Sequence, residues 1–203
     1  MLPPYSPNKS LFEKLLQESR IQVEPSSFFS QYPVLSGDAI NFDRFKAMML
    51  GLAIGDALGN TTEGLLPAQR KSRYGEIKDY LPSKHADNKS LGVPSDDSQM
   101  AFWMLEQILA DGHLDMDSLA KRFATETIYG IGGTVVDFRR NYQAGRPWHA
   151  CARQGKGSGN GALMRIAPVV FPHLGNPTPA LWADAVLATM LTHNDRAAIP
   201  AKT

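Results

Sequence analysis

The chain has 203 residues, 43% of them hydrophobic, enough apolar material for one core but hardly for two. With 21 Lys plus Arg against 20 Asp plus Glu, no surplus charge is left to hold nucleic acid or a basic partner by bulk electrostatics. Cys151 is the only cysteine, which excludes an internal disulfide, and no run approaches the ~18 apolar residues of a membrane span or the pattern of a secretory leader, so the expected location is the cytoplasm.

Residues 1–40 read as an arm, broken by Pro3, Pro4, Pro7, Pro25 and Pro33. It holds one helical signal, Ser10 to Arg20. There Ser10 and Glu13 have capping-box spacing and Leu11, Phe12, Leu15 and Leu16 make a narrow apolar stripe. Phe28, Phe29 and Tyr32 follow among Ser, Gln and Pro. Such a segment is either a disordered tail, a strap on its own domain, or a set of aromatic anchors for a partner.

A domain over 41–203 opens where Phe42, Phe45, Met49 and Leu52 keep helical spacing. Gly51, Gly55 and Gly59 fall on one face of that helix, at a cost of ~1 kcal/mol each relative to alanine, and would let another backbone approach closely. A second helix follows Asp97, with Gly112 placed to end it, and a third is expected from Asp117 to Tyr129. Thr178-Pro179, an N-cap and a first-turn proline, opens a last helix through Trp182, Val186 and Met190 to about His193. No hairpin dipeptide joins alternating runs, so the predicted fold is all-α, with long loops at 60–95 and 141–162.

Ser95-Asp96-Asp97-Ser98 places two carboxylates and hydroxyls ahead of an apolar helix. They could give oxygen ligands to a hard cation such as Mg²⁺, but Ser and Asp are also what a helix N-terminus uses for capping. Gly155 to Gly161 has glycine at every second position, a backbone free of Cβ that can approach phosphate or ribose oxygens, or else a plain linker. It is not a Walker A loop, because Lys156 is followed by Gly157. His193 alone reads equally as a cap or packing residue, and Glu63 as a surface carboxylate.

Taken together and in order, four blocks resemble the ADP-ribosylglycohydrolase family. They are Gly51-Leu52-Ala53-Ile54-Gly55-Asp56-Ala57-Leu58-Gly59 with Glu63, Ser95-Asp96-Asp97-Ser98-Gln99-Met100, Gly159-Asn160-Gly161-Ala162-Leu163-Met164-Arg165, and Thr192-His193-Asn194-Asp195. The resemblance implies an all-α fold with a cleft holding two Mg²⁺ ions, Mn²⁺ being an alternative. Ser95, Asp96 and Asp97 are the expected metal ligands, and Gly159, Asn160, Gly161 and His193 the residues that bind ADP-ribose. Glu63 or Asp97 is the expected catalytic carboxylate. The implied reaction is hydrolysis of the N-glycosidic bond between ADP-ribose and a protein side chain, most often arginine.

Family members carry a further Asp-x-Asp motif followed by Ser or Thr, which nothing after the glycine loop matches. Together with an apolar last helix that has little chain left to cover it, this predicts a fragment of a longer protein. The alternative function is an immunity protein whose arm, residues 1–40, occludes an ADP-ribosyltransferase toxin.

Overall fold

A computed structural model describes residues 7–23, 27–31, 41–154, 159–196 and 198–199. Its helices are α1 (Asn8–Gln17), α2 (Phe42–Gly59), α3 (Pro67–Tyr74), α4 (Asp96–Asp111), α5 (Met116–Thr125), α6 (Gly133–Gln143) and α7 (Ala180–Met190). Extended pairing is confined, among the described residues, to an isolated bridge between Ser83 and Lys89 and two two-residue strands, β1 (Arg153–Gln154) and β2 (His193–Asn194), which run parallel. The fold is all-α, as the sequence predicts.

α4 is the axis of the core. Met100, Met104 and Ile108 recur every fourth residue and are wholly buried, each side chain contributing ~1.5–3 kcal/mol. Around them pack α5, through Leu119, Ala120 and Phe123, and the 3₁₀ segments Leu163–Arg165 and Ala167–His173. Gly112 ends α4 in the left-handed conformation, φ 74°, which glycine adopts without a Cβ clash.

The arm's helix is shifted from its expected bounds. α1 starts at Asn8, because the Ser10 hydroxyl donates to the Pro7 carbonyl and no capping box forms with Glu13. It lies against α7, with Phe12 and Leu15 buried in the main core. Asn8 Nδ2 donates to Asp184 Oδ1 on α7 (2.6 Å) and to the Leu114 carbonyl (2.7 Å). Asp184 Oδ2 in turn meets His173 Nε2 at 2.7 Å. α1 is thus a strap on its own domain. Tyr32 lies outside the described residues, as does the Phe28 side chain.

Other expectations are corrected. α3 occupies part of the predicted 60–95 loop, and α5 starts under the Asp115 cap, whose Oδ1 accepts from Ser118 N, and stops at Thr125. α7 ends at Met190, so His193 sits on β2. Its apolar surface is not bare, for every residue from Ala183 to Met190 is buried. The bare helix is α2. Apart from α2's own backbone, no atom of the described residues stands within 4 Å of where a Cβ would lie on Gly51, Gly55 or Gly59, so the approach that the row allows is not made among them. α2 packs instead through an adjacent edge, Phe45 and Met49, with the Phe45 and Phe171 rings 4.7 Å apart, leaving Leu50 and Ile54 exposed. No helix among the described residues is long and apolar enough to cross a membrane.

Candidate functional site

Asp56 is the only charged residue from Ala47 to Thr62, and it organises the acidic end of the molecule. Its Oδ2 accepts from Ser95 N (2.8 Å), Ser98 N (3.1 Å) and Ser98 Oγ (2.7 Å), and its Oδ1 accepts from Ser95 Oγ (2.7 Å). The N-terminus of α4 is therefore capped by a carboxylate from α2, while the Ser95 side chain makes no capping bond of its own. Burial pushes the Asp56 carboxyl up, but the bonds from Ser95 and Ser98 outweigh it and hold the group below its ordinary value.

Asp96 and Asp97 follow directly in the first turn of α4. Burial is the main cause that raises both, with Glu63 and Asp56 adding repulsion at Asp96; Asp56, Asp96 and Glu63 together push Asp97 up to about 6. Four carboxyls thus crowd one helix end. The buried cation near them is Arg165, whose guanidinium feels Asp96. Gln99 braces the opposite wall, since its Nε2 donates to the Thr127 carbonyl (2.8 Å) and its Oε1 accepts from Tyr129 N (3.1 Å). Gly130, at φ 81°, lets that loop pass so close that a Cβ there would stand 3.1 Å from Asp96 Oδ1.

Glu63 follows a 3₁₀ turn at the end of α2, which Asn60 ties to the α4 entry through Nδ2 and the Val93 carbonyl (2.9 Å). It is exposed on the wall shared by two cavities. One, of about 540 Å³, is also lined by Asp56, Arg70, Ser95 and Asp97. The other, of about 560 Å³, is lined by Lys84, His85, Asn88 and Gly130.

The glycine block forms a second centre. Residues 155–158 lie outside the described residues. Gly159 and Gly161 pass over buried His193, and a Cβ on Gly161 would come within 2.9 Å of His193 Cε1, so glycine is required there. β1 leads into the loop and β2 carries the histidine, with Arg153 in register with His193. Gly159, Asn160, Gly161 and His193 line neither cavity beside Glu63. The link between the centres is Arg165, which is fully buried and donates to the Gly161 carbonyl. Burial pushes its guanidinium down to about 9, so it is cationic at neutral pH.

Sequence reasoning gave Asp56 and Arg165 no role. A lone carboxylate in the otherwise uncharged run from Ala47 to Thr62 was the available signal for Asp56, whereas Arg165 becomes legible only once its burial is known. Cys151 is buried, its Sγ donates to backbone carbonyls, and burial pushes the thiol up, which disarms it as a nucleophile.

Ser95, Asp96 and Asp97 present only oxygen donors, which fits Mg²⁺ in kind. Among the described residues, however, no three His, Cys, Asp or Glu side chains converge closely enough to hold an ion. Ser95, Asp96 and Asp97 are therefore an incomplete donor set among the described residues.

The sequence profile of the ADP-ribosylglycohydrolase family matches residues 38–202. An uncharacterised protein of Archaeoglobus fulgidus is 32% identical over 163 residues, covering 77% of this chain and 52% of that protein. The ADP-ribosyl-[dinitrogen reductase] glycohydrolase of Rhodospirillum rubrum is 30% identical over 166 residues, 79% of this chain and 54% of its own. The ADP-ribosylarginine hydrolase Tri1 of Pseudomonas putida is 28% identical over 162 residues, 75% of this chain and 42% of its own. The chain spans about half the length of these relatives. By the extent of the match to its profile, the chain belongs to the ADP-ribosylglycohydrolase family.

Proposed function

We propose that this chain supplies the substrate-side half of a hydrolase that cleaves the N-glycosidic bond between ADP-ribose and a protein arginine. The observation that carries this reading is the crowding of Asp56, Glu63, Asp96 and Asp97 at one capped helix end beside two cavities, in a chain of this family. Carboxylates that repel one another are relieved by a cation, and a planar guanidinium leaving group or a hard metal ion is a suitable one.

Ser95, Asp96 and Asp97 would hold Mg²⁺, with further oxygen ligands coming from outside the described residues. Bound there, the ion supplies Lewis acidity and orients ribose hydroxyls. Glu63, exposed on the wall between the two cavities, is the group best placed to take a proton from an attacking water in one of them. Cleavage at an anomeric carbon builds positive charge on the sugar, which the surrounding carboxylates stabilise. Gly159, Asn160, Gly161 and His193 receive the ADP-ribose, Gly159 and Gly161 bringing their backbone to it without a Cβ.

Occlusion of an ADP-ribosyltransferase by residues 1–40 has less support, because Phe12 and Leu15 are already buried in the chain's own core. Calorimetry with MgCl₂ and turnover of an ADP-ribosylarginine peptide, with this chain joined to the part of the Archaeoglobus relative outside the match, test the assignment. Asp96→Asn with Asp97→Asn should abolish cation binding, whereas Glu63→Gln should keep it and lower kcat ~10²-fold or more. Cation binding that survives the double substitution overturns the reading.

A further inference from the structure

The carboxyls that crowd the start of α4 differ in what their oxygens already hold. Asp56 Oδ2 accepts from Ser95 N, Ser98 N and Ser98 Oγ. Its Oδ1 accepts from Ser95 Oγ at 2.7 Å and from Asn60 Nδ2 at 3.3 Å. An ionised carboxylate has about four lone-pair sites, so these donors saturate it and leave no oxygen of Asp56 for a cation.

A serine hydroxyl carries one proton and two lone pairs. To serve as a ligand to a hard cation it must turn a lone pair to the ion and its proton toward another acceptor. Ser95 is buried, and the acceptor within hydrogen-bond length of its hydroxyl is Asp56 Oδ1. Asp96 also feels that hydroxyl, though less than it feels burial, Glu63 and Asp56. The Ser95 backbone N–H donates to the other oxygen of the same Asp56 carboxylate at 2.8 Å, so the residue is held at two points.

We propose that Asp56 is a positioning residue of the cation site and not one of its ligands: by holding the Ser95 hydroxyl proton it fixes that rotor with the oxygen's lone pairs left for the ion. In this the inference rests on the function proposed above, in which Ser95, Asp96 and Asp97 hold Mg²⁺. A ligand oriented before the ion arrives loses no rotamer freedom on binding, and outer contacts of this kind are typically worth ~10–100-fold in metal affinity. An asparagine at position 56 reverses the arrangement. Its one oxygen fits best where Ser95 N, Ser98 N and Ser98 Oγ all donate, which turns its NH₂ toward Ser95 Oγ. That hydroxyl then accepts from the amide, and its proton is driven toward the site. The bonds that cap α4 survive the change while the ligand is spoiled.

Two measurements on the purified 203-residue chain test this. In the metal-free chain in half-deuterated water, a Ser95 hydroxyl held by Asp56 exchanges slowly and splits the Ser95 ¹³Cβ line. The splitting should be present in wild type and in Ser98→Ala, and lost in Asp56→Asn. Titration with MnCl₂, followed by water-proton relaxation, should show binding weakened roughly tenfold or more by Asp56→Asn and changed less than about twofold by Ser98→Ala. Ser98→Ala removes a share of the α4 cap without touching Ser95, so equal weakening by the two variants would make the role of Asp56 merely structural and overturn the proposal. Splitting that persists in Asp56→Asn, or Mn²⁺ binding that this variant leaves unchanged, overturns it too. Circular dichroism melts establish that each variant is folded. Should Asp56→Asn not fold, the wild-type line still decides, because a freely exchanging proton there sinks the idea. A wild-type chain that shows the splitting but binds no Mn²⁺ defeats the cation assignment of the proposed function and leaves the Ser95 orientation standing.

Discussion

Asp97 sits half-buried among three other carboxyls and is pushed up to about 6, first by burial and then by Asp56, Asp96 and Glu63. A raised carboxyl binds its proton more tightly folded than unfolded, where Asp titrates near 3.9. Its contribution to stability is therefore complete below the unfolded value and is lost as pH rises through about 6. Asp97→Asn removes that loss. In metal-free buffer its melting temperature should exceed wild type at pH 7–8, and the difference should vanish below about pH 4. Thermal denaturation across that range checks it, and a variant less stable than wild type at pH 8 would show that Asp97 makes a favourable contact when ionised. Asp56 behaves oppositely, because hydrogen bonds to its charged form hold it low.

α1 illustrates how an element's role depends on what it touches. As a sequence its stripe of Phe12, Leu15 and Leu16 suits a partner-binding arm as well as a strap, since both need one apolar face. In the fold Leu15 is 2% exposed against α7, and Asn8 bonds to buried Asp184 beside it. Leu15→Ala should cost ~2–5 kcal/mol of stability, the range for opening a core cavity. Urea denaturation measures it, and an unchanged midpoint would mean that α1 does not hold the domain together. α4 was legible to within a residue or two, because Asp97 and Gly112 are start and stop signals, although the helix begins at Asp96. α5 was placed with its end four residues late, because hydrophobic spacing continues to Ile128 past the point where the backbone leaves the helix.

Among the described residues, α2 presents an uncovered apolar surface. α2 carries no charge between Lys46 and Asp56, yet Leu50 is 59% and Ile54 50% exposed, beside glycines with nothing packed on them. A helix apolar on every side is normally buried. Leu50→Lys with Ile54→Lys should change the unfolding free energy of this chain by no more than about 0.5 kcal/mol while lowering its binding of the dye ANS. Strong destabilisation would place those side chains in a core. The exposed face adjoins the acidic end through Asp56.

The sequence by itself determined the helical class, because apolar residues at 3.6-residue spacing and capping signals are local properties of the chain. It also carried the resemblance to the family, since four motifs in order specify it more sharply than any periodicity. Tertiary structure alone decided that Asp56 caps α4 from another helix, that α1 is buried, that the glycine row faces nothing, and that Arg165 reaches His193 through Thr192. The three contacts among these join residues 27 to 176 apart, and side-chain spacing along one helix or strand carries no information about its neighbours.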